Sequence, residues 1–318
     1  MQLNVKLVLV LHTLPQKGVL WRFVNVSSGV HRWAIMKRII ISAHIFLRRY
    51  VLQSSRLHVH IDSSHGLFAQ LNWCVYIAYY CEIIGLRPTF KLTNANYSDD
   101  SSCFLGSVFE HECGSDSRFL KIKHISEFPI SPRLYQEISI AKAHLLFFDL
   151  FSLQEKIKKY TDEFVSKNFG KSVLGLHLRG TDKRAEAPPI TEEMICQKVD
   201  AYLEKNEVDT IFVASDEARF ILLIKEKYDS KEINVCFHED LVKSQSGQPI
   251  HLNNEHGDKE RKLFEAVVNS VLLSRTDYLI KSASFLSAWS CIFNPTLSVE
   301  VINIPYKESL WFPDSKLV

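Results

Sequence analysis

The most constraining feature of this sequence is a regular alternation of short apolar runs and amphipathic segments over its second half. Runs of strand length occupy residues 173–179, 209–214, 233–237, 277–281 and 299–304. Segments with apolar residues at helical spacing lie between them, at 191–205, 217–228, 258–274 and 284–292. Strands that alternate with helices predict an α/β domain whose parallel sheet is covered by helices on both faces.

The first half carries a shorter version of the same pattern. Residues 57–61 alternate as a strand does and run into the polar turn Asp62-Ser63-Ser64-His65-Gly66. A helical segment over 67–86 and a strand over 88–92 follow, and 94–117 is polar and loop-like. Two further helices are predicted around 133–146 and 153–169. We therefore expect a basic extension over 1–56, a Rossmann-like domain over 57–169 and a second one over 170–318.

Composition narrows the classes of protein to which the chain can belong. A length of 318 residues with 46% hydrophobic residues is enough for two packed cores. The net charge of +2 gives no indication of a nucleic-acid partner. The seven cysteines are an odd number, without a C-x-x-C pair or a Cys/His spacing suited to zinc. Reduced, mostly buried thiols are expected, and no metal site is predicted.

The N-terminal arm is locally cationic, because no Asp or Glu precedes Asp62 while Lys and Arg recur. Two interpretations stay open: peripheral contact with an anionic membrane surface, or a solvated or wrongly assigned leader with Met36 as the true start. Neither 5–11 nor 39–47 approaches the roughly 20 apolar residues of a spanning helix. A cytoplasmic protein is expected, with a membrane-associated or a Golgi or ER lumenal one as the alternatives.

The first apolar run of the second half ends in an unusual polar cluster, GLHLRGTDK, at residues 175–183. Side chains alternate along a strand, so His177 and Arg179 share one face. An unpaired guanidinium is costly to bury, so Arg179 must meet either a structural carboxylate, such as Asp182, or an anionic ligand in a cleft. In a parallel sheet the carboxyl ends of the strands are where ligands bind.

Two later strand ends carry polar groups of the same kind. Asp216, in Ser215-Asp216-Glu217, is predicted at the same rim, where this trio would also cap the next helix. Ser284 begins the helix after 277–281, where free backbone amides suit a phosphate. A serine that only caps the helix would give the same sequence pattern. The sequence holds no G-x-G-x-x-G, no H-E-x-x-H and no D-x-D motif.

Three of these segments together resemble the motifs of one enzyme family. They are His177-Leu178-Arg179-Gly180-Thr181-Asp182-Lys183, Ala214-Ser215-Asp216-Glu217, and the stretch from Leu273 to Ser284 that reads LSRTDYLIKSAS. In the same order they resemble the motifs of the fucosyltransferase group that includes the nodulation-type and core α1,6-fucosyltransferases and the protein O-fucosyltransferases. The resemblance covers about 170–292, and residues 1–56 show none.

The resemblance implies a GT-B fold, in which two Rossmann-like domains face a cleft. It implies an inverting, metal-independent glycosyltransferase that uses no cofactor beyond its donor substrate, GDP-fucose. By position, His177 would contact the nucleoside, Arg179 the β-phosphate and Ser284 a phosphate oxygen. The turn 62–70 would lie where these enzymes place a donor-side loop. The acceptor would be a hydroxyl of a glycan, a lipid-linked glycan or a protein.

This chain departs from the family pattern at two positions. The second Arg of the family's Arg-Arg pair is Gly180 here, and the Asp expected to bind guanine falls at Asn269. The nucleotide is therefore less constrained than the fold. A catalytically weak nucleotide-binding or scaffold protein of the same fold, or a transferase with another nucleotide sugar, stays as the alternative. For the base that deprotonates the acceptor, Glu186 is the first candidate and Asp182 the second.

Overall fold

The computed structural model describes residues 29–98, 102–113, 119–130, 137–180, 185–238 and 259–318, with 29–34 as backbone only. Over these ranges the chain is α/β, with two separate parallel sheets. In the second half the element bounds follow the sequence pattern closely, since the apolar runs are strands and the amphipathic segments are helices. The polar strand ends in question lie on the second sheet.

The first half contains four helices and five strands in the described ranges. The helices are α1 (Gly29–Phe46), α2 (Leu67–Ile84), α3 (Ile140–Leu150) and α4 (Glu155–Asn168). The strands are β1 (Arg56–Asp62), β2 (Arg87–Thr93), β3 (Phe109–His111), β4 (Leu120–Ile122) and β5 (Phe151–Leu153). Helix α2 stops at Gly85, whose φ of 69° is the left-handed conformation that glycine adopts at a helix end.

The second half continues with four helices and five strands in the described ranges. The strands are β6 (Val173–Leu178), β7 (Thr210–Ser215), β8 (Asn234–Phe237), β9 (Tyr278–Lys281) and β10 (Ser298–Val301). The helices are α5 (Glu192–Leu203), α6 (Ala218–Tyr228), α7 (Lys259–Leu273) and α8 (Phe285–Phe293). All six residues of β6 and of β7 are buried, as expected for central strands of a covered parallel sheet.

The two larger sheets have different strand orders. The first is β2-β1-β4 and the second is β10-β9-β6-β7-β8, with every pair parallel. Strands β3 and β5 form a small antiparallel pair beside the first sheet. In the second sheet β6 is central, flanked by β9 and β7, so the residues after these three strands meet at one edge.

The two halves share a buried apolar contact. Trp289 of α8 is fully buried and packs against Phe68 of α2 and Phe147 of α3. Its indole N–H donates to Asn72 Oδ1 at 2.7 Å, and Asn72 Nδ2 donates to the carbonyl of Phe312 at 2.8 Å. The C-terminal segment is therefore fastened to a helix of the first half. The domain boundary near residue 170 stays a prediction, since the apolar core runs through this contact.

The basic N-terminal extension contains more structure than its sequence indicated. Helix α1 lies on the loop around residue 127, where Lys37 pairs with Glu127 and Arg38 Nη2 donates to the carbonyl of Ile130 at 3.0 Å. Several large apolar side chains of this region are exposed, among them Met36, Ile40, Leu47 and Val51. None of the helices in the described ranges combines the length and apolar character needed to cross a bilayer.

Candidate functional site

The polar ends of β6 and β9 are joined by backbone and side-chain hydrogen bonds. The amide of Ser282 donates to the carbonyl of His177 at 2.9 Å, and the amide of Arg179 donates to Ser282 Oγ at the same distance. This places Arg179 next to the start of α8. The sheet therefore brings together His177, Arg179 and Ser284, three residues that the sequence assigned to one site.

Arg179 lies at the rim of the sheet with its charge partly balanced. Its Nε is 3.6 Å from Asp216 Oδ2, and the two side chains are 19% and 20% exposed. At that separation the pair is looser than a direct charge-assisted hydrogen bond of about 2.8 Å. The guanidinium is thus neither sealed in the core nor locked in a bidentate pair with Asp216. Whether Arg179 serves a structural carboxylate or an anionic ligand stays a prediction.

A tyrosine of the first half lies within the electrostatic reach of Arg179. Burial raises the pKa of Tyr97, while a hydrogen bond from the Leu67 amide at 3.0 Å and the charge of Arg179 oppose that rise. Leu67 opens α2 directly after the turn 62–66. The turn that was predicted on the donor side is therefore linked through Tyr97 to the neighbourhood of Arg179.

Three of the predicted binding residues carry a buried polar atom without a hydrogen-bond partner. The atoms are Ser284 Oγ, His177 Nδ1 and Asn269 Oδ1, in residues only 3%, 5% and 6% exposed. Ser284 occupies the N-cap position of α8 but makes no capping bond. Asn269 lies on α7 beside Ser270, whose hydroxyl donates to the carbonyl of Leu286 in the first turn of α8. Because unsatisfied buried polar atoms are costly, these three atoms are candidates for hydrogen bonds to a polar ligand.

His177 is held in its neutral form by its surroundings. Burial is the main cause that lowers its pKa well below the ordinary value, and the charges of Lys281 and Arg179 act in the same direction. Lys281 is fully buried and pairs with Asp314 at 2.5 Å. A lysine within the apolar run of β9 is the sequence feature that could have indicated this ion pair.

Gly180 is enclosed by α6. A Cβ at this position would collide with Glu217 Oε1 and would lie 3.2 Å from Arg219 Nη2. Arg219 Nε donates to Glu217 Oε2 at 2.6 Å. A larger residue at 180 would therefore displace the Glu217 side chain. The guanidinium of Arg219, from α6, lies beside this position. Arg219 could not be recognised from the sequence, because nothing in the pattern around it distinguishes it from an ordinary surface arginine.

The remaining predicted residues differ in how far the structure describes them. Glu186 is exposed, in a turn whose backbone carbonyl accepts from the Tyr306 amide at 2.8 Å. Asp182 lies outside the described residues. The predicted Ser-Asp-Glu cap of α6 is wrong in detail. Ser215 Oγ accepts from the Glu217 amide, yet the N-cap is Glu217, which makes no side-chain capping bond.

Comparison with known proteins gives the fold an independent reference. The chain shares its fold with the fucosyltransferase NodZ from Bradyrhizobium, at a TM-score of 0.50 and 14% identity, over 74% of this chain and 91% of that one. Weaker structural similarities reach POFUT1 in complex with GDP-fucose and an Arabidopsis thaliana FUT1 mutant in complex with GDP. Both have TM-scores of 0.38, with 11% and 16% identity, covering 81% and 80% of this chain and 78% and 53% of theirs.

Sequence comparisons add no closer relative. No family model matches the chain, and no curated protein matches it. The resemblance read from the three motifs is thus confirmed at the level of the fold, by a structure that the motifs themselves pointed to. The chain has the α/β architecture of a fucosyltransferase, and its own polar strand ends must carry any functional assignment.

Proposed function

We propose that this protein is an inverting glycosyltransferase that transfers L-fucose from GDP-fucose to a hydroxyl of a glycan, a lipid-linked glycan or a protein. In this proposal the chain is a GT-B enzyme, with an acceptor-side domain over 57–169 and a donor-side domain over 170–318. The observation that carries it is the set of unsatisfied buried polar atoms in His177, Asn269 and Ser284, two of which lie with Arg179 at the carboxyl edge of a parallel sheet.

The diphosphate is the part of the donor that this cluster suits best. The first amides of α8 have no partner within the helix, and Ser284 Oγ lies at the same end. An anion at a helix N-terminus is stabilised by those amides and by the helix dipole. Arg179 would replace its 3.6 Å contact with Asp216 by a shorter one to the β-phosphate.

The nucleoside would lie deeper, against the neutral imidazole of His177 and the amide of Asn269. Nδ1 of His177 can accept or donate one hydrogen bond according to its tautomer, and Asn269 Oδ1 can accept one from a base. An amide accepts from guanine with less strength than the carboxylate of the family pattern, since no charge assists the bond. We therefore expect guanine to be preferred by a smaller margin than an Asp at 269 would give.

Catalysis would follow from charge that develops on the leaving group. As the bond between fucose C1 and the phosphate oxygen breaks, negative charge grows on the β-phosphate. Arg179 and the α8 amides would stabilise that charge more in the transition state than in the ground state. Arg219, beside Gly180, would supply the second cation that the family places at residue 180. These cations take the place of a metal in the proposal.

The acceptor hydroxyl needs a base, and the proposal keeps Glu186 in that role with Asp182 as the second candidate. Glu186 is exposed, so solvent and a bound acceptor could reach its carboxylate. The proposal also keeps a cytoplasmic location, with peripheral membrane contact through the basic N-terminal region. The exposed apolar side chains of α1 and of the turn after it are what support that contact.

Incubation of the purified chain with GDP-fucose tests the proposal. Slow release of GDP and of L-fucose with the anomeric configuration inverted from that of the donor is expected, and an Arg179→Ala chain should release neither above background. Tight GDP binding without hydrolysis or transfer would favour the scaffold alternative. A melting-temperature series with GDP, UDP, ADP and CMP reports the nucleotide, because a ligand that binds only the native state raises the melting temperature. The largest rise with UDP, ADP or CMP would overturn the choice of donor.

A further inference from the structure

Outside the strand-end cluster, the fold brings together three potential metal ligands that are separated in sequence. Cys103, His111 and Cys113 each present one ligand atom, and these atoms all lie within 4.8 Å of one another. Cys103 precedes the short helical turn Phe104–Ser107, His111 ends β3, and Cys113 follows two residues later. The spacing Cys-x7-His-x-Cys has no C-x-x-C pair, which is why the sequence alone gave no indication of a site.

The separation of the atoms fits a tetrahedral ion. Cys103 Sγ lies 3.5 Å from His111 Nε2. For zinc, bond lengths of about 2.3 Å to sulfur and 2.0–2.1 Å to nitrogen at a tetrahedral angle place those two atoms about 3.5–3.6 Å apart. A thiolate pair and an imidazole are also the ligand types that zinc prefers. Two thiolates would neutralise the charge of a divalent ion.

Contacts behind the ligands hold them in place as in known metal sites. The other ring nitrogen of His111, Nδ1, is 3.4 Å from the carbonyl of Phe109, the kind of contact that fixes the tautomer of a metal-binding histidine. The backbone amide of Leu92 donates to Cys103 Sγ at 3.4 Å. Two of the three ligands are therefore oriented by the backbone of neighbouring strands, while Cys113 is exposed and leaves the fourth position to solvent.

The three potential metal ligands lie where a cross-link would stabilise the edge of the first sheet. Strand β2 is an edge strand of its three-stranded sheet, and Leu92 belongs to it. The segment from Cys103 to Cys113 runs beside that edge and is paired with β5 through the short strand β3. A metal bound by Cys103, His111 and Cys113 would fasten both ends of this segment beside an edge that proteins usually protect.

We propose that Cys103, His111 and Cys113 bind one Zn²⁺ ion that stabilises the first half of the molecule. The ion takes no part in the sugar transfer proposed above. Solvent supplies its fourth ligand. Zinc should therefore raise the melting temperature of the full chain whether or not GDP-fucose is a substrate, which separates a failure of this proposal from a failure of the other.

The first test is the metal content and zinc affinity of the full chain, purified under reducing conditions without chelator. About one zinc per chain is expected by elemental mass spectrometry. Cys113→Ser should weaken zinc binding at least about 100-fold in competition with a chromophoric chelator, because removing a ligand costs more than removing a supporting contact. Cys113 is exposed, so this variant should fold. Cys196→Ser, a half-buried thiol on α5, is the matched control and should keep the zinc.

A second measurement reports the ligand set directly. Cobalt added to the metal-stripped chain should give thiolate-to-metal charge-transfer absorption that Cys113→Ser weakens and Cys196→Ser leaves intact. Absence of both zinc and cobalt binding in the folded wild-type chain would overturn the proposal. Detection of a Cys103–Cys113 disulfide in the chain purified without added reductant would also overturn it, because it would assign these thiols to a covalent link instead.

Discussion

The carboxyl ends of β1 and of β6 occupy equivalent places in their sheets, but the polar residues at the two ends differ in how completely they are hydrogen-bonded. After β1, the polar side chains bond mainly to one another: Asp62 accepts from Thr93 at 3.0 Å and pairs with Lys121 at 2.9 Å, and Asn94 donates to the carbonyl of His65. Gln70 Oε1 is an exception, buried without a bond. After β6 and β9, several buried atoms have no such partners.

This difference separates a scaffold from a binding surface. A turn whose polar groups are hydrogen-bonded to one another is stabilised, and it has few unused donors or acceptors for a ligand. An edge that leaves His177 and Ser284 unsatisfied is costly to the folded protein, and a bound ligand would recover that cost. This difference is what the proposed function requires if the donor binds at the second sheet.

The largest contrast between the two ends should appear in stability. Asp314→Ala removes the partner of the fully buried Lys281, and we expect a loss of about 3–5 kcal/mol in the free energy of unfolding. Lys121→Ala breaks the exposed pair with Asp62 and should cost less than about 1 kcal/mol. Denaturant unfolding of both variants measures the difference. Equal losses would mean that the two strand ends are not built differently.

Arg179→Ala should have the largest effect on catalysis. In the proposed function it removes the guanidinium that would face the leaving phosphate, so we expect kcat for GDP release to fall about 100-fold or more, on the scale of one oxyanion donor. Lys121→Ala, which removes a cation from the other end, should stay within about twofold, because an exposed pair contributes little. A fall of similar size in both variants would contradict the assignment of the donor to the second sheet.

Ser284→Ala tests whether a single hydroxyl at the start of α8 binds a phosphate or only caps the helix. Its Oγ caps nothing in the unliganded helix, so its loss should leave the melting temperature nearly unchanged. A hydrogen bond to a charged phosphate contributes about 1.5–3 kcal/mol, so GDP affinity should fall about tenfold or more by calorimetry. An ordinary capping serine would give the opposite result, a lower melting temperature with unchanged affinity.

The smallest effect concerns pH. The pKa of His177 is lowered by burial and by two nearby cations, so the folded state resists protonation below the ordinary value of 6.5 while the unfolded chain does not. Stability should therefore be retained at neutral pH and lost as pH falls through about 6.5, with about 1 kcal/mol lost to this residue between pH 7.5 and 5.5. His177→Gln should show a shallower loss over that range. An unchanged slope would mean that the pKa of His177 is the same in the folded and the unfolded chain.

Much of the second half could be predicted from sequence because its strands and helices differ clearly in period. The predicted strand over 173–179 is β6, and the predicted helix over 284–292 is α8, each within one residue at the ends. The motif residues that converge there were found because consecutive parallel strands end on one edge. Contacts between distant segments were not predictable, since no local pattern records that Arg219 lies beside Gly180 or that Asp314 meets Lys281.

The first half was harder to predict for a different reason. Helix α1 was assigned to an extension of uncertain structure, because its apolar residues are not segregated to one face. Strands β3, β4 and β5 are three residues each, too short to show a period. The three metal ligands proposed above lie in a stretch that was predicted only as a polar loop.

A structure of the chain with GDP bound would show whether the donor binds at the ends of β6 and β9. We expect the β-phosphate within hydrogen-bonding distance of the Arg179 guanidinium and Ser284 Oγ, with the nucleoside against His177 and Asn269. GDP bound elsewhere, with Arg179 still on Asp216 and the Ser284 and His177 atoms still unsatisfied, would contradict it.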